Sequence, residues 1–461
     1  MLSFDERARG LSGRLPHGFI LGTATSSWQI EGDSAGRGSS IWDDFAAVAG
    51  NIKDGTTADP ACDHVNRLDT DLELLAWIGV DAYRFSFSWP RVFRTGEGEL
   101  NSSGLDFYDR LIDGLLERGI KPAATMYHWD LPSTFGDKGG WTWAPIVDRF
   151  GDYAEALANR YADRVDSWAT LNEPWVSAFL GYATTIHAPG AGDPARGFES
   201  AYRLLHAHGR AVDVLRSHNA SNVGTVLNLT TIIDDDGKSD HARQIIDGLQ
   251  NRIFLDPLAG RGIPTDIVEA TAHITDWSFV TEEGLAEIAR PIDWLGINYY
   301  TPARIAQSTA TDKGFIVGQN TDVYPGSPAV EFVPREPRTE MGWEIHAASL
   351  TSTLLDTAER LPGVPLFITE NGGAFPDDEY VDGRVNDLDR VDYIASHIEA
   401  ALDARDQGVD LRGYFAWSLM DNIEWAEGLL KRFGIVHVDP TTQTRTPKSS
   451  AHFLRALIES R

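Results

Sequence analysis

Two glutamates carry the first chemical signal: Glu173 in Thr170-Leu171-Asn172-Glu173-Pro174 and Glu370 in Ile368-Thr369-Glu370-Asn371-Gly372. Each stands at the end of a short apolar, β-rich run. Paired carboxylates are what cleavage of a glycosidic bond requires, one to protonate the departing oxygen and one to meet the cationic anomeric carbon. Other polar and aromatic residues fall at comparable places: Gln29, Arg84, His128-Trp129-Asp130, Asn172, Tyr299-Tyr300, Asn371 and Trp417. A single residue of this kind at a strand end reads as a cap. Residues contributed by seven such runs read as a site.

Positioning them requires strands that end on a common face. Apolar runs at 19–29, 80–89, 122–130, 165–174, 222–231, 292–301, 365–370 and 411–420 alternate with helix-period segments at 66–78, 103–118, 144–161, 198–218, 242–255, 282–289, 344–360 and 388–407. Gly79, Gly119, Gly363 and Gly408 each follow a helix and precede a strand, where a left-handed cap favours a residue without Cβ. Eight such units predict a single α/β domain over 1–461, a (β/α)8 barrel with its working groups at the C-terminal strand ends. A doubly wound open sheet would carry a phosphate-type glycine loop after its first strand, and Gly22-Thr23-Ala24 is not one. Long excursions at 31–63, 175–197 and 302–340 then build the rim.

Composition narrows the partners. The chain has 461 residues and a formal charge of −28, with a pI near 4.7. Such a surface repels phosphate backbones and anionic lipid, so nucleic acid and membranes are not the expected partners. The one cysteine, Cys62, cannot form an internal disulfide, and no apolar run is long enough to span a bilayer. Residues 1–15 lack the apolar stretch of a secretory signal, and the expected location is the cytoplasm. Fourteen tryptophans are an unusual number, and indole faces suit sugar C–H faces.

The sequence resembles glycoside hydrolase family 1, the β-glucosidase family, over essentially its whole length. Besides the two glutamate motifs, the likeness rests on Trp28-Gln29-Ile30-Glu31-Gly32, Ser40-Ile41-Trp42-Asp43, Tyr83-Arg84-Phe85-Ser86, Tyr127-His128-Trp129-Asp130-Leu131-Pro132 and Asn298-Tyr299-Tyr300. It continues through Met341-Gly342-Trp343-Glu344, Trp417-Ser418-Leu419-Met420-Asp421-Asn422, Glu424-Trp425-Ala426-Glu427-Gly428 and Arg432-Phe433-Gly434. The resemblance implies a TIM barrel and retaining hydrolysis of terminal β-glucosyl residues, with β-galactosyl and β-fucosyl groups as further substrates, and neither metal nor cofactor.

Carried over residue by residue, it makes Glu370 the nucleophile and Glu173 the acid/base. Arg84 and Tyr300 would keep Glu370 ionised, and that negative charge would keep the proton on Glu173. Once Glu370 is esterified, Glu173 can take a proton from water. Gln29, His128, Asn172 and Glu424 would bind sugar hydroxyls, with Asn172 at the 2-hydroxyl. Trp417 would be the stacking floor with Trp425 beside it, Trp129 and Phe433 would join the substrate-binding set, and Trp343 would be the platform for the aglycone. The loop Glu31–Arg37 is shorter than is usual in the family, and Glu344-Ile345-His346-Ala347 lacks a common tyrosine-proline.

Three rivals remain. A metal hydrolase could use His206-Ala207-His208, but residues two apart on a helix do not share a face. A non-catalytic sugar binder gains nothing from two like charges in one pocket. The resemblance implies that a 6-phospho-β-glycosidase would carry a Ser/Lys/Tyr phosphate grip at the place where this sequence has Glu424-Trp425. The run Asp234-Asp235-Asp236-Gly237 lacks the spaced ligands of a calcium loop and reads as an acidic turn.

Overall fold

The structure, a computed structural model, describes residues 4–307, 319–381 and 383–461. Eight parallel strands close a barrel in sequence order: β1 (Ile20–Ala24), β2 (Ala82–Ser86), β3 (Lys121–Tyr127), β4 (Ser167–Asn172), β5 (Val223–Asn228), β6 (Trp294–Asn298), β7 (Leu366–Asn371) and β8 (Leu411–Trp417). Strand β1 pairs with β2 on one side and with β8 on the other, where Ile20 stands opposite Gly413. The strands read as continuous apolar runs because helices cover the barrel's outer face while side chains fill its inside. Space inside is tight: a Cβ on Gly296 would meet Thr369 and Val226 side chains at 2.7 Å.

The crossover helices keep the predicted order, among them Leu68–Ile78, Ser102–Glu117, Ile146–Tyr161, Pro194–Ser217, Ala347–Arg360 and Leu388–Asp406. Gly79 and Gly408 adopt φ of 82° and 104°, the left-handed geometry that their places between helix and strand demand.

Three expectations need correction. The first strand ends at Ala24, and Ser27–Ile30 is a short helix, so Gln29 lies one turn beyond the strand end. The segment expected as one helix at 242–255 is three consecutive pieces, Asp240–Asp247, a π-type turn Gly248–Arg252, and Ile253–Leu258. Glu344 does not open the next helix, because Arg304 holds its carboxylate through two nitrogens at 2.9 and 2.7 Å.

The long excursions have structure of their own. That after β4 contains a fully buried π-type helix, Val176–Ala183. That after β6 contributes Ala303–Gln307 and Val330–Phe332 to a small sheet with Ile232–Asp234; its stretch 308–318 lies outside the described residues. Beneath the loops after β7 and β8, a fully buried charge cluster joins distant segments. Lys448 Nζ donates to Asp377 at 2.5 Å and to Asp421 at 2.7 Å, and Arg390 pairs with Asp377 at 2.8 Å and with Asp387.

Candidate active site

A cavity of about 380 Å³ opens at the C-terminal mouth of the barrel. Its walls include His128, Trp129, Glu173, Asn298, Tyr300, Trp343, Glu370, Trp417, Glu424, Trp425 and Phe433. These come from β3, β4, β6, β7 and β8 or the loops that follow them. Gln29, Arg84 and Asn172 are buried immediately beside these groups. Gln29 is buried, with its Nε2 donating to the Ile423 carbonyl at 2.7 Å and its Oε1 accepting from Ser26. It thereby fastens the loop that carries Glu424 and Trp425.

The two glutamates are buried and linked by a polar network that starts at Arg84. Its Nη1 donates to Glu370 Oε1 at 2.6 Å, and its Nη2 to Asn172 Oδ1 at 2.7 Å. Tyr300 donates its hydroxyl to Glu370 Oε2 at 2.6 Å. The Asn298 amide donates to Glu173 Oε1 at 2.6 Å and to Asn172 Oδ1 at 3.0 Å. Because guanidinium has no acceptor, the Asn172 atom facing Arg84 must be oxygen. Its nitrogen therefore faces His128 Nε2, 3.1 Å away, so that ring nitrogen accepts and the imidazole is neutral with its hydrogen on Nδ1. Burial and the Arg84 charge agree, pushing His128 well below the ordinary imidazole range.

Electrostatics divides the carboxyl groups. Burial, then the adjacent Glu370 charge, drives Glu173 well above the ordinary glutamate range. Burial raises Glu370 as well, but the Arg84 charge and hydrogen bonds from Tyr300 and Arg84 oppose it. The first proton therefore resides on Glu173. Glu424 is pushed up to about 8 by burial, by Glu370 and by Glu427. The Glu427 carboxylate is engaged by Lys53 at 2.6 Å.

Aromatic rings frame these groups. Trp425 stacks on Trp28 at 5.7 Å and lies 4.3 Å from Trp129, measured between ring centroids. Trp343 stands 5.5 Å from Tyr300 and 6.1 Å from Phe433. Trp129, Glu173 and Trp425 all adopt positive φ, of 77°, 47° and 46°. Non-glycine residues in this region cost on the order of 1 kcal/mol each and concentrate where function fixes a geometry.

Sequence reading did not single out Asn298 as a site residue, although it opens Asn298-Tyr299-Tyr300. Its place at the end of β6, beside Tyr300, was the available signal. Asn371, by contrast, is structural: it donates to the Tyr299 carbonyl and accepts from Tyr414, both at 2.7 Å. The His206/His208 pair diverges as the helix geometry requires, with His208 Nδ1 on Thr170 at 2.7 Å and His206 facing Glu287. The acidic turn is held by its own chain: Asp234 accepts from Ser239 N, and Asp235 pairs with Arg304 and Arg335.

The family description "Glycosyl hydrolase family 1" matches residues 11–461. The chain belongs to this family. It is accordingly a glycoside hydrolase on a TIM barrel. Among its relatives, "Beta-glucosidase A" of Thermotoga maritima is 41% identical over 97% of this chain and 98% of its own. The "Bifunctional beta-D-glucosidase/beta-D-fucosidase" of Bifidobacterium breve is 43% identical over 96% of this chain and 98% of its own. The crystal structure of a psychrophilic β-glucosidase from Micrococcus antarcticus superimposes with a TM-score of 0.93 at 39% identity, covering 98% of both chains.

Proposed function

We propose that this glycoside hydrolase is a retaining, exo-acting β-glucosidase in which Glu370 is the nucleophile and Glu173 the acid/base. One observation carries the reading: two buried carboxyl groups share a cavity, and the one held by a guanidinium and a phenol is the easier to ionise. Asn298 hydrogen-bonds Glu173 and accepts from Thr369, the residue immediately before Glu370. Carboxyl groups joined by so short a chain of contacts fit the close spacing, about 5 to 5.5 Å, at which a carboxylate attacks directly. Inverting enzymes separate theirs more widely to hold a water between them.

In the first step, Glu370 attacks the anomeric carbon while Glu173 gives its proton to the departing oxygen. Esterification of Glu370 removes the charge that held the Glu173 proton. Glu173 then draws a proton from water, which opens the ester and returns the sugar with its original configuration. The same residue serves both directions because its neighbour's charge changes between them.

His128, Asn172, Glu424 and the Trp417 face are the proposed sugar contacts, with Trp425, Trp129 and Phe433 around them and Gln29 supporting from behind. Trp343, at the rim with Tyr300 and Phe433, is the proposed aglycone platform. A phosphorylated sugar would meet Glu424, Glu427 and Glu370, while the nearby Lys53 is occupied by Glu427. Unphosphorylated β-glucosides are therefore the favoured substrates, with β-fucosides and β-galactosides beside them. The name of the Bifidobacterium breve relative supports the fucoside activity. The cytoplasmic setting expected from the sequence is part of the same proposal.

The test is the anomeric form of the sugar first released from p-nitrophenyl β-D-glucoside, followed by proton NMR in EDTA. Initial β-glucose is expected. Initial α-glucose would mean inversion and overturn the mechanism.

A further inference from the structure

The residue that holds Glu173 has no role in the reaction as written above. Asn298 donates through Nδ2 to Glu173 Oε1 and to Asn172 Oδ1. The orientation of its amide is fixed by chemistry. Arg84, which only donates, makes the Asn172 atom an oxygen, so the Asn298 atom facing it must be the nitrogen. On the other side, Asn298 Oδ1 accepts from the Thr369 hydroxyl at 2.7 Å. Thr369 immediately precedes Glu370. Asn298 is fully buried, as are Thr369 and Asn172, so the amide cannot turn without leaving two buried groups unpaired.

A carboxylic acid has two oxygens, and only one can carry the proton to the leaving group. An oxygen that accepts a hydrogen bond from an amide is the poorer place for a proton, since the two hydrogens would face each other. Among the described residues, nothing in the protein hydrogen-bonds Glu173 Oε2. We propose that Asn298 is a positioning residue for the acid: by occupying Oε1 it assigns the transferable proton to Oε2, and through Thr369 it ties that choice to the strand bearing the nucleophile. This rests on the roles proposed above for Glu173 and Glu370.

The arrangement also has a charge consequence. A donor to a carboxylate favours the ionised form, and Asn298 donates to Glu173 and so opposes the rise that burial and the Glu370 charge impose on it. Removing it lets Glu173 rise further. The basic limb of the bell-shaped pH profile of kcat/KM should therefore move to higher pH by about one unit, the scale of one charge-assisted hydrogen bond, while the acidic limb, set by Glu370 with Arg84 and Tyr300, stays in place. A residue that merely packed would lower activity with the limbs in place.

The experiment compares wild type, Asn298→Ala, Thr369→Val and Glu173→Gln on p-nitrophenyl β-D-glucoside across pH. Asn298→Ala should move the basic limb upward, and Thr369→Val, which frees the amide to turn, should move it the same way by less. A basic limb that stays put in Asn298→Ala, in an enzyme where Glu173→Gln abolishes that limb, overturns the positioning role alone. Should Asn298→Ala not fold, an unmoved basic limb in Thr369→Val overturns it equally. A basic limb that survives Glu173→Gln overturns the acid/base assignment itself.

Discussion

Asp421 and Glu424 lie three residues apart in one loop, both in heavily desolvated surroundings, yet their carboxyl groups are displaced in opposite directions. Asp421 accepts from Lys448, from the Gly434 amide and from His437, and the buried cations Lys448 and Arg390 hold it down at about 2. Glu424 faces the cavity, where Glu370 and Glu427 add negative charge, and rises to about 8. Burial pushes both upward, so burial alone does not separate them. What differs is the number of cations within reach: the cluster beneath the loops has Lys448 and Arg390 for Asp377, Asp387 and Asp421. At the mouth, the buried guanidinium of Arg84 is directly bonded to only one of the three acids. Compensated acids make a scaffold. Undercompensated acids hold protons, and a held proton is what the reaction spends.

This contrast can be broken by substitution. Glu370→Gln should abolish turnover, by on the order of 10⁴-fold or more in kcat, with every leaving group. Glu173→Gln should cost about 10² to 10⁴ for poor leaving groups and less for activated nitrophenyl ones. Because folding holds on Glu173 a proton that the unfolded chain gives up above about pH 4, the variant should melt no lower than wild type, and higher near neutral pH. Equal losses on both substrate types would remove the acid/base role, and a large drop in melting temperature would place Glu173 with the scaffold instead.

Lys448→Met tests the other side. It strands Asp377 and Asp421 without their shared ammonium, and denaturant titration should show a loss of about 3 to 5 kcal/mol. Asp421 sharpens the sign. Its native value lies below the ordinary one, so its stabilisation is complete above about pH 4 and disappears as pH falls toward 2. If the variant kept its stability but lost activity, the cluster would belong to the site.

Asp130 behaves like the mouth acids although it does not line the cavity. Burial pushes it up to about 8, against hydrogen bonds from Ser88 and Ser27 and the Arg37 charge. A proton held more tightly by the folded state stabilises below about pH 4, and that contribution is lost as pH rises toward 8. Asp130→Asn cannot ionise, so it should gain on wild type by on the order of 1 to 2 kcal/mol between pH 5 and 8, read from melting at each pH. The smallest effect is expected at the rim: Trp343→Ala should raise KM for aryl glucosides by about three- to tenfold with kcat little changed, as loss of one aromatic contact implies.

Much of this was legible before any coordinates. The alternation of apolar runs and helical periods, with Gly79 and Gly408 at the joints, suffices for the barrel. Glu173 and Glu370 are visible because a polar residue closing an apolar run is itself a local signal. Gln29 was misplaced for a physical reason: 24–30 are all buried, and burial has no period that separates a strand from a short buried helix. The ties between Asn298 and Glu173, and between Lys448 and Asp377, join residues 125 and 71 positions apart. Neither pair has a local pattern, because each is created only when the strands close.

That closure has a consequence in time. Strand β1 finds β2 early, but its other edge is completed by β8, where Ile20 meets Gly413. At synthesis rates of ~5 to 20 residues per second, the partner emerges about 390 residues and roughly 20 to 80 seconds later. Throughout that interval the nascent chain presents the open edge of Ile20-Leu21-Gly22, an invitation to mispairing that a holding chaperone or a crowded ribosome must manage.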